Sequence, residues 1–213
     1  MANTDWHGGF TPYEKVLRCH YYAVNTAPVI GFYHGDMVGT EEVFLLSKSM
    51  GYLQGVNEDE VIDGLDNVLG AVLAIFDENM DPVKYIAATD AGNSTIAGHL
   101  LVADDPMQFW VAREDFGGNA ITAAEGGNNA NIVSVALSAG HAGTGRSTQM
   151  IDSDSASTTA ALQLKLYGPH PNDVNLFDDD TPGTSLDEGT RFICQVNEAY
   201  WGPSSNIAGG ISA

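Results

Sequence analysis

Residues 140–147 have the spacing of a phosphate-binding loop. Their sequence, GHAGTGRS, matches the pattern G-x-x-x-x-G-K-S/T except that Arg146 occupies the lysine position. A lysine there reaches the phosphates as a slim point charge, and arginine does not replace it freely. The loop also needs a helix directly after it to hold phosphate. Residues 147–159 are rich in Ser, Thr and Asp, which form helices poorly. We therefore predict a glycine-rich connection between strands, and no nucleotide or other cofactor.

Acidic runs offer oxygen atoms to a cation at Asp104-Asp105 and at Asp178-Asp179-Asp180. Neither run has the spaced acids of a dedicated calcium loop, so solvated loops are the prediction. The six histidines form no H-x-x-x-H pair, and no G-x-S-x-G motif occurs. A Glu/Asp pair could meet in space, but no local pattern nominates one. We predict no metal site and no catalytic residue, and hence a protein that is not an enzyme.

The charge balance restricts the partners. Lys and Arg total 8 and Asp and Glu total 28, which gives 8 − 28 = −20. Such a surface repels nucleic-acid phosphates and anionic membranes, so we predict neither as a partner. A well-solvated surface is the simplest explanation of the acidity, and halophilic adaptation stays open.

The two cysteines, Cys19 and Cys194, both lie in strand-like segments. Residues 1–10 have no apolar core of a signal peptide, and no run reaches the ~18 apolar residues of a membrane span. We therefore expect folding in a cytoplasm, where thiols stay reduced. Both side chains are predicted to be buried and unpaired. A disulfide that closes nearly the whole chain stays open as the alternative.

Three aromatic residues, Trp6, Phe10 and Tyr13, lie in an N-terminal arm at residues 1–14 that glycine and proline interrupt. Aromatic side chains on an irregular arm either fold back on their own domain or anchor a partner. We predict that these three form a partner interface, with the core strands beginning only at Lys15.

Strand-like segments follow one another at short spacing, with no repeat of fixed period and one short helix candidate at 58–65. The pattern predicts a mainly β fold, a β-barrel or β-sandwich of short strands. One domain, 15–200, would lie between the extended arm and a Gly/Ser-rich tail at 201–213. The main strand candidates are 15–24, short strands within 31–39, 43–46, 68–76, 100–103, 108–114, 132–137, 161–167 and 191–196.

Three of these segments allow finer predictions. The nine residues VLGAVLAIF at 68–76 are all apolar or glycine, which predicts a buried central strand. In 161–167, strict alternation predicts leucines inward at 162, 164 and 166, with Gln163 and Lys165 outward. In 15–24, Leu17, Cys19 and Tyr21 share one face, and Arg18 and His20 share the other.

A series of short motifs follows in order along most of the chain. They are MANTD at 1–5, GFTP at 9–12, GDMV at 35–38, VADDP at 102–106, FWV at 109–111, ED at 114–115, MIDS at 150–153, TTA at 158–160, LQLKL at 162–166 and VN at 196–197. This ordered set resembles a family of small virion proteins of tailed bacteriophages and prophages. The chain departs from that pattern in a longer acidic loop at 172–187 and a longer tail after Trp201.

The resemblance implies a virion structural protein, and specifically a capsid decoration or cement protein on the outer capsid surface, made in the host cytoplasm. Its partners would be the major capsid protein and neighbouring copies, as a homotrimer. The shared motifs look structural, so no active-site residue is carried over. Three alternatives stay open: a tail-tube or head–tail joining protein, a carbohydrate-binding β-module that uses exposed tryptophans such as Trp110 and Trp201, and a β-barrel hydrolase.

Overall fold

The computed structural model describes residues 9–25, 31–40, 53–55, 68–87, 96–115, 120–122, 125–134, 144–159, 162–173 and 189–197. This part of the chain is mainly β, as predicted, and its sheets are antiparallel. The strands are β1 (Thr11–Pro12), β2 (His20–Asn25), β3 (Phe32–Tyr33), β4 (Met37–Thr40), β5 (Leu53–Gly55), β6 (Val68–Phe76), β7 (Pro82–Val83), β8 (Tyr85–Ile86), β9 (Ile96–Ala103), β10 (Phe109–Arg113), β11 (Asn129–Ala130), β12 (Ile132–Ser134), β13 (Gln149–Ile151), β14 (Leu164–Pro169) and β15 (Arg191–Val196). One turn of 3-10 helix spans Ser153–Ser155. None of the helical structure in these ranges is long and apolar enough to cross a membrane.

The six-stranded sheet explains the apolar composition of β6. Its order is β2-β9-β6-β4-β5, with β7 paired to β6. Both faces of β6 are covered, because Val68 and Ala71 belong to one core cluster and Val72 and Ile75 to a second. The second cluster is completed by the small sheet of β3 and β8. The predicted buried central strand at 68–76 is therefore confirmed.

The five-stranded sheet, in the order β1-β10-β15-β14-β11, packs against the first core cluster. Alternate residues point inward, such as Trp110 and Ala112 on β10 and Phe192 and Cys194 on β15. Met37, Ala71 and Ala103 of the six-stranded sheet belong to the same cluster. The two sheets therefore enclose one shared core, as in a β-sandwich.

The start of the fold differs from the prediction. Thr11 and Pro12 pair with Val111 and Trp110, so the core strands do not begin at Lys15 but four residues earlier. Gly9 has φ +56°, and a Cβ there would lie 2.4 Å from the Gly35 carbonyl oxygen. Only glycine fits this close approach. The contact holds the residues before β1 against Gly35.

Two predictions about side chains are wrong. Cys19, which directly precedes β2, is exposed and not buried. Leu17 and Tyr21 are exposed with it, whereas Arg18 and His20 both reach Asp104, in agreement with the two predicted faces. Gln163 is fully buried instead of facing outward. It precedes β14, so strand alternation does not govern it, and its Oε1 accepts a hydrogen bond from the Ile132 N–H at 2.6 Å. The predicted helix at 58–65 and the tail at 201–213 lie outside the described residues.

Candidate functional site

The three predicted interface residues have different positions. Trp6 lies outside the described residues. Phe10 is 1% exposed and lies in the core shared by the two sheets, so the prediction that it anchors a partner is wrong. The physical reason is that its own domain already removes the ring from water. Tyr13 is half-buried, stacks edge-on against His170 with ring centroids 5.8 Å apart, and lines a surface cleft.

This cleft, which we call the outer-face cleft, lies on the side of the five-stranded sheet that faces away from the core. It has a volume of about 280 Å³. The chain bends at Glu14, whose φ is +65°, and residues 13–17 then form one wall. Phe109 and Tyr167 meet edge to face at 5.0 Å between ring centroids. The full lining is Tyr13, Glu14, Lys15, Leu17, Gln108, Phe109, Tyr167 and Ile193.

The amide groups in and beside the outer-face cleft are engaged within the chain. Gln108 Oε1 accepts from the Leu17 N–H at 3.0 Å, and Gln108 Nε2 donates to the Phe109 carbonyl at 2.8 Å. Gln195 Oε1 accepts from the Tyr167 hydroxyl at 2.8 Å, and Gln195 Nε2 donates to the Pro106 carbonyl. A ligand therefore meets mainly aromatic and aliphatic surface, which suits an apolar side chain of a protein better than a sugar hydroxyl.

The lining of the cleft differs in charge from the chain as a whole. Its two charged residues, Glu14 and Lys15, have opposite signs, so the charges of the lining residues sum to zero. The whole chain carries −20. The cleft lining is therefore neutral in a strongly acidic protein.

Asp104 is the centre of a polar cluster where the end of β9 meets β2 and the segment that precedes it. Its side chain is 1% exposed, and Arg18 Nε donates to Oδ1 at 3.1 Å. His20 Nδ1 and the Tyr22 hydroxyl lie 2.8 and 2.6 Å from Oδ2. Burial alone would raise the pKa of Asp104, but the hydrogen bonds from Tyr22, His20 and Arg18 outweigh it and hold the pKa below its usual range. Asp104 is thus an ionised structural anchor.

Two other acids are buried on the protein's interior side. Burial raises the pKa of Asp36 to about 7, although the Tyr33 N–H donates to Oδ2 at 2.6 Å and Ser147 also hydrogen-bonds to it. Burial likewise raises the pKa of Glu114 to about 8. The Ile121 N–H donates to Glu114 Oε2 at 2.7 Å, which ties a loop to β10. Backbone N–H groups thus donate to both carboxyl groups, three of them to Glu114 and one to Asp36, as expected of groups that organise loops.

The phosphate-loop motif ends inside the fold. The Ser147 side chain is fully buried beside Asp36, and the Ser147 N–H donates to the His34 carbonyl at 2.9 Å. The residues that would have to form a helix are β13 and the 3-10 turn. The described end of this motif is therefore a connection between strands, as predicted. Residues 140–143 lie outside the described residues.

The acidic runs and the two cysteines are the remaining predicted features. Within the described ranges, no three His, Cys, Asp or Glu side chains are grouped as metal ligands, and residues 178–180 lie outside them. Cys194 is buried, as predicted, whereas Cys19 is exposed, because the edge of the sheet leaves it uncovered. The structure has both cysteines as free thiols.

Comparisons of the chain with protein-family models, with curated proteins and with solved structures find no match. The resemblance to tailed-phage virion proteins therefore stays a prediction.

Most of the cleft was not predicted from the sequence, although the sequence contains a signal for it. Phe109, Tyr167 and Ile193 are apolar residues in the outward phase of strands whose inward residues are already apolar. Such residues mark an apolar part of a sheet face that is otherwise polar. Their meeting point depends on the order β10-β15-β14, which no local pattern contains.

Proposed function

We propose that the protein is a structural component of a tailed-phage virion, a capsid decoration protein that binds the outer capsid surface and stabilises the head. Its role is to contact protein and not to catalyse a reaction. The ordered motifs of the sequence suggest this class, and the outer-face cleft is the observation in the fold that supports it best.

The cleft supports protein binding because of what it offers a partner. Exposed aromatic and aliphatic side chains are typical anchors of protein interfaces. Leu17 and Tyr167 line the cleft and are 48% and 51% exposed, and Met107 beside Gln195 is 59% exposed. Isolated exposed apolar residues are ordinary, but several together mark a contact surface.

The net charge supports a place on the outside of the head. A chain that carries −20 is repelled by packaged DNA, which is itself densely negative. The outer surface avoids this repulsion. The proposed partners are accordingly the major capsid protein and neighbouring copies of the chain, as a homotrimer.

Binding to capsids tests the proposal. Purified protein is mixed with undecorated capsids of the phage that encodes it, cosedimented, and imaged by cryo-electron microscopy. We expect density on the outer capsid surface and an increase in the temperature at which the heads release DNA. Density confined to the tail or the head–tail joint would favour the first alternative. An absence of any bound protein would contradict a virion role.

The carbohydrate-binding alternative has less support. Trp110, which would have served as an exposed sugar platform, is 1% exposed and lies in the core. Trp201 lies outside the described residues. A glycan array separates the two ideas, since specific binding of one glycan class would favour the carbohydrate-binding module over the decoration protein.

A further inference from the structure

We infer that the outer-face cleft is the surface through which two copies of this chain contact each other. The inference rests on the proposed function, in which neighbouring copies of the chain contact each other. It adds the residues through which they do so.

The first argument is the clustering of exposed apolar side chains. Six large hydrophobic residues are exposed in the described part of the chain. Val16, Leu17 and Tyr167 lie on or next to the cleft wall, and Met107 lies within 3.9 Å of Gln195, the partner of the Tyr167 hydroxyl. Covering these four side chains removes apolar surface from water, and this stabilises a complex.

Electrostatic repulsion between two copies also favours a contact at the cleft. Two copies that each carry −20 repel one another wherever their acidic surfaces approach. Glu14 and Lys15 cancel in the lining of the cleft, so a contact there brings few acidic side chains together. Arg18 and Arg191 already bind Asp104 and Asp173, so their charges are largely matched within the chain. A nearly neutral surface of this kind suits an equally neutral partner, and a second copy of the same region supplies one.

The third argument is self-complementarity on the cleft wall. Glu14 and Lys15 are neighbours on that wall. A second copy can therefore place its Lys15 against Glu14 at the rim, while its apolar side chains cover the aromatic residues at the centre. A polar rim around an apolar centre is the common anatomy of protein interfaces.

Sedimentation velocity on the purified full chain tests the inference. We expect a mass above that of the monomer at micromolar concentration. Association should tighten as salt rises from about 20 to 500 mM, because salt screens the net repulsion and leaves the apolar contact intact. A monomer at all concentrations, or association that salt weakens, would overturn the inference.

Two variants locate the contact. Met107→Glu adds a charge at the cleft, and Tyr167→Ala removes one aromatic anchor. Each should weaken association about tenfold or more, with thermal unfolding of the monomer nearly unchanged because both side chains are half exposed. The matched control is Met80→Glu, which makes the same change on another methionine, 44% exposed, in the turn after β6. Equal weakening by Met80→Glu, or none by the two cleft variants, would show that the contact lies elsewhere.

The capsid assay keeps this inference separate from the proposed function. If the protein associates through the cleft but does not bind capsids, the surface assignment holds and the virion role fails. If Met107→Glu and Tyr167→Ala decorate capsids normally and the wild type is a monomer, the virion role holds and the self-contact is wrong.

Discussion

Replacement of the buried Asp36 by asparagine should stabilise the fold, relative to wild type, increasingly as the pH rises from 5 to 8. The carboxyl group is 5% exposed, and its pKa rises from 3.8 to about 7 in the folded protein, mainly because of burial. Between these two values the folded chain holds a proton that the unfolded chain has lost. The stabilisation from this proton is complete below the unfolded pKa and disappears as the pH rises through about 7.

The magnitude follows from these two pKa values. At pH 5 the retained proton stabilises the folded state by about 3 kcal/mol, and at pH 8 by almost nothing. Asparagine is neutral at both pH values. It can accept from the Tyr33 N–H as the carboxyl does, and its amide group can donate to the Ser147 hydroxyl. The free energy of unfolding of Asp36→Asn, relative to wild type, should therefore rise by about 3 kcal/mol from pH 5 to pH 8.

Urea denaturation, followed by tryptophan fluorescence at pH 5, 6, 7 and 8, measures this difference. Using the difference between variant and wild type removes the pH effects of the other carboxyl groups and of the net charge. Asp81→Asn makes the same chemical change on an exposed aspartate and controls for the lost charge. A difference between Asp36→Asn and wild type that stays constant from pH 5 to pH 8 would refute the reasoning.

Further predictions concern the core, the thiols, the polar anchor and the glycine-rich loop. Phe10→Ala should lower the free energy of unfolding, measured in urea, by about 3 to 5 kcal/mol, because it leaves a cavity in the core. A loss below about 1 kcal/mol would show that Phe10 does not pack in the core. Cys19 should react with a thiol reagent in the native protein, and Cys194 only after unfolding, as mass spectrometry can check. Asp104→Asn should cost about 1 to 3 kcal/mol in thermal or urea unfolding, because it weakens charge-assisted hydrogen bonds; an unchanged stability would contradict the anchor. Titration calorimetry with Mg-ATP should give no heat of binding, and micromolar affinity would contradict our interpretation of residues 140–147.

Strands with an unambiguous local pattern were predictable. β6 is apolar at every position because both its faces are covered, and such a run has few alternatives to a central strand. β15 matches its predicted range, Arg191–Val196, and burial alternates along its first five residues. The local sequence of such strands is enough to predict them, and the class of fold follows from their number and spacing.

Features that depend on distant pairings were not predictable. Phe10 is buried because the chain before β1 passes beside Gly35, where the Phe10 N–H donates to the Gly35 carbonyl at 2.8 Å. The pairing of Thr11 with Val111 joins residues a hundred positions apart. Gln163 is buried by a partner on β12. Local composition around these residues resembles that of an exposed arm or an outward position, so only the tertiary structure distinguishes them.

The same long-range bonds position the candidate contact surface. Asp104 binds Arg18 through both its side chain and its carbonyl, the latter at 2.6 Å from Arg18 Nη2, and thereby holds the end of β9 against the segment that leads into β2. Leu17 is fixed a second time through Gln108, which follows Met107 in the turn before β10. One buried carboxylate and one buried amide thus hold two exposed apolar side chains on the rim of the cleft. Apolar residues held in place in this way lose little conformational freedom when a partner covers them, which favours binding.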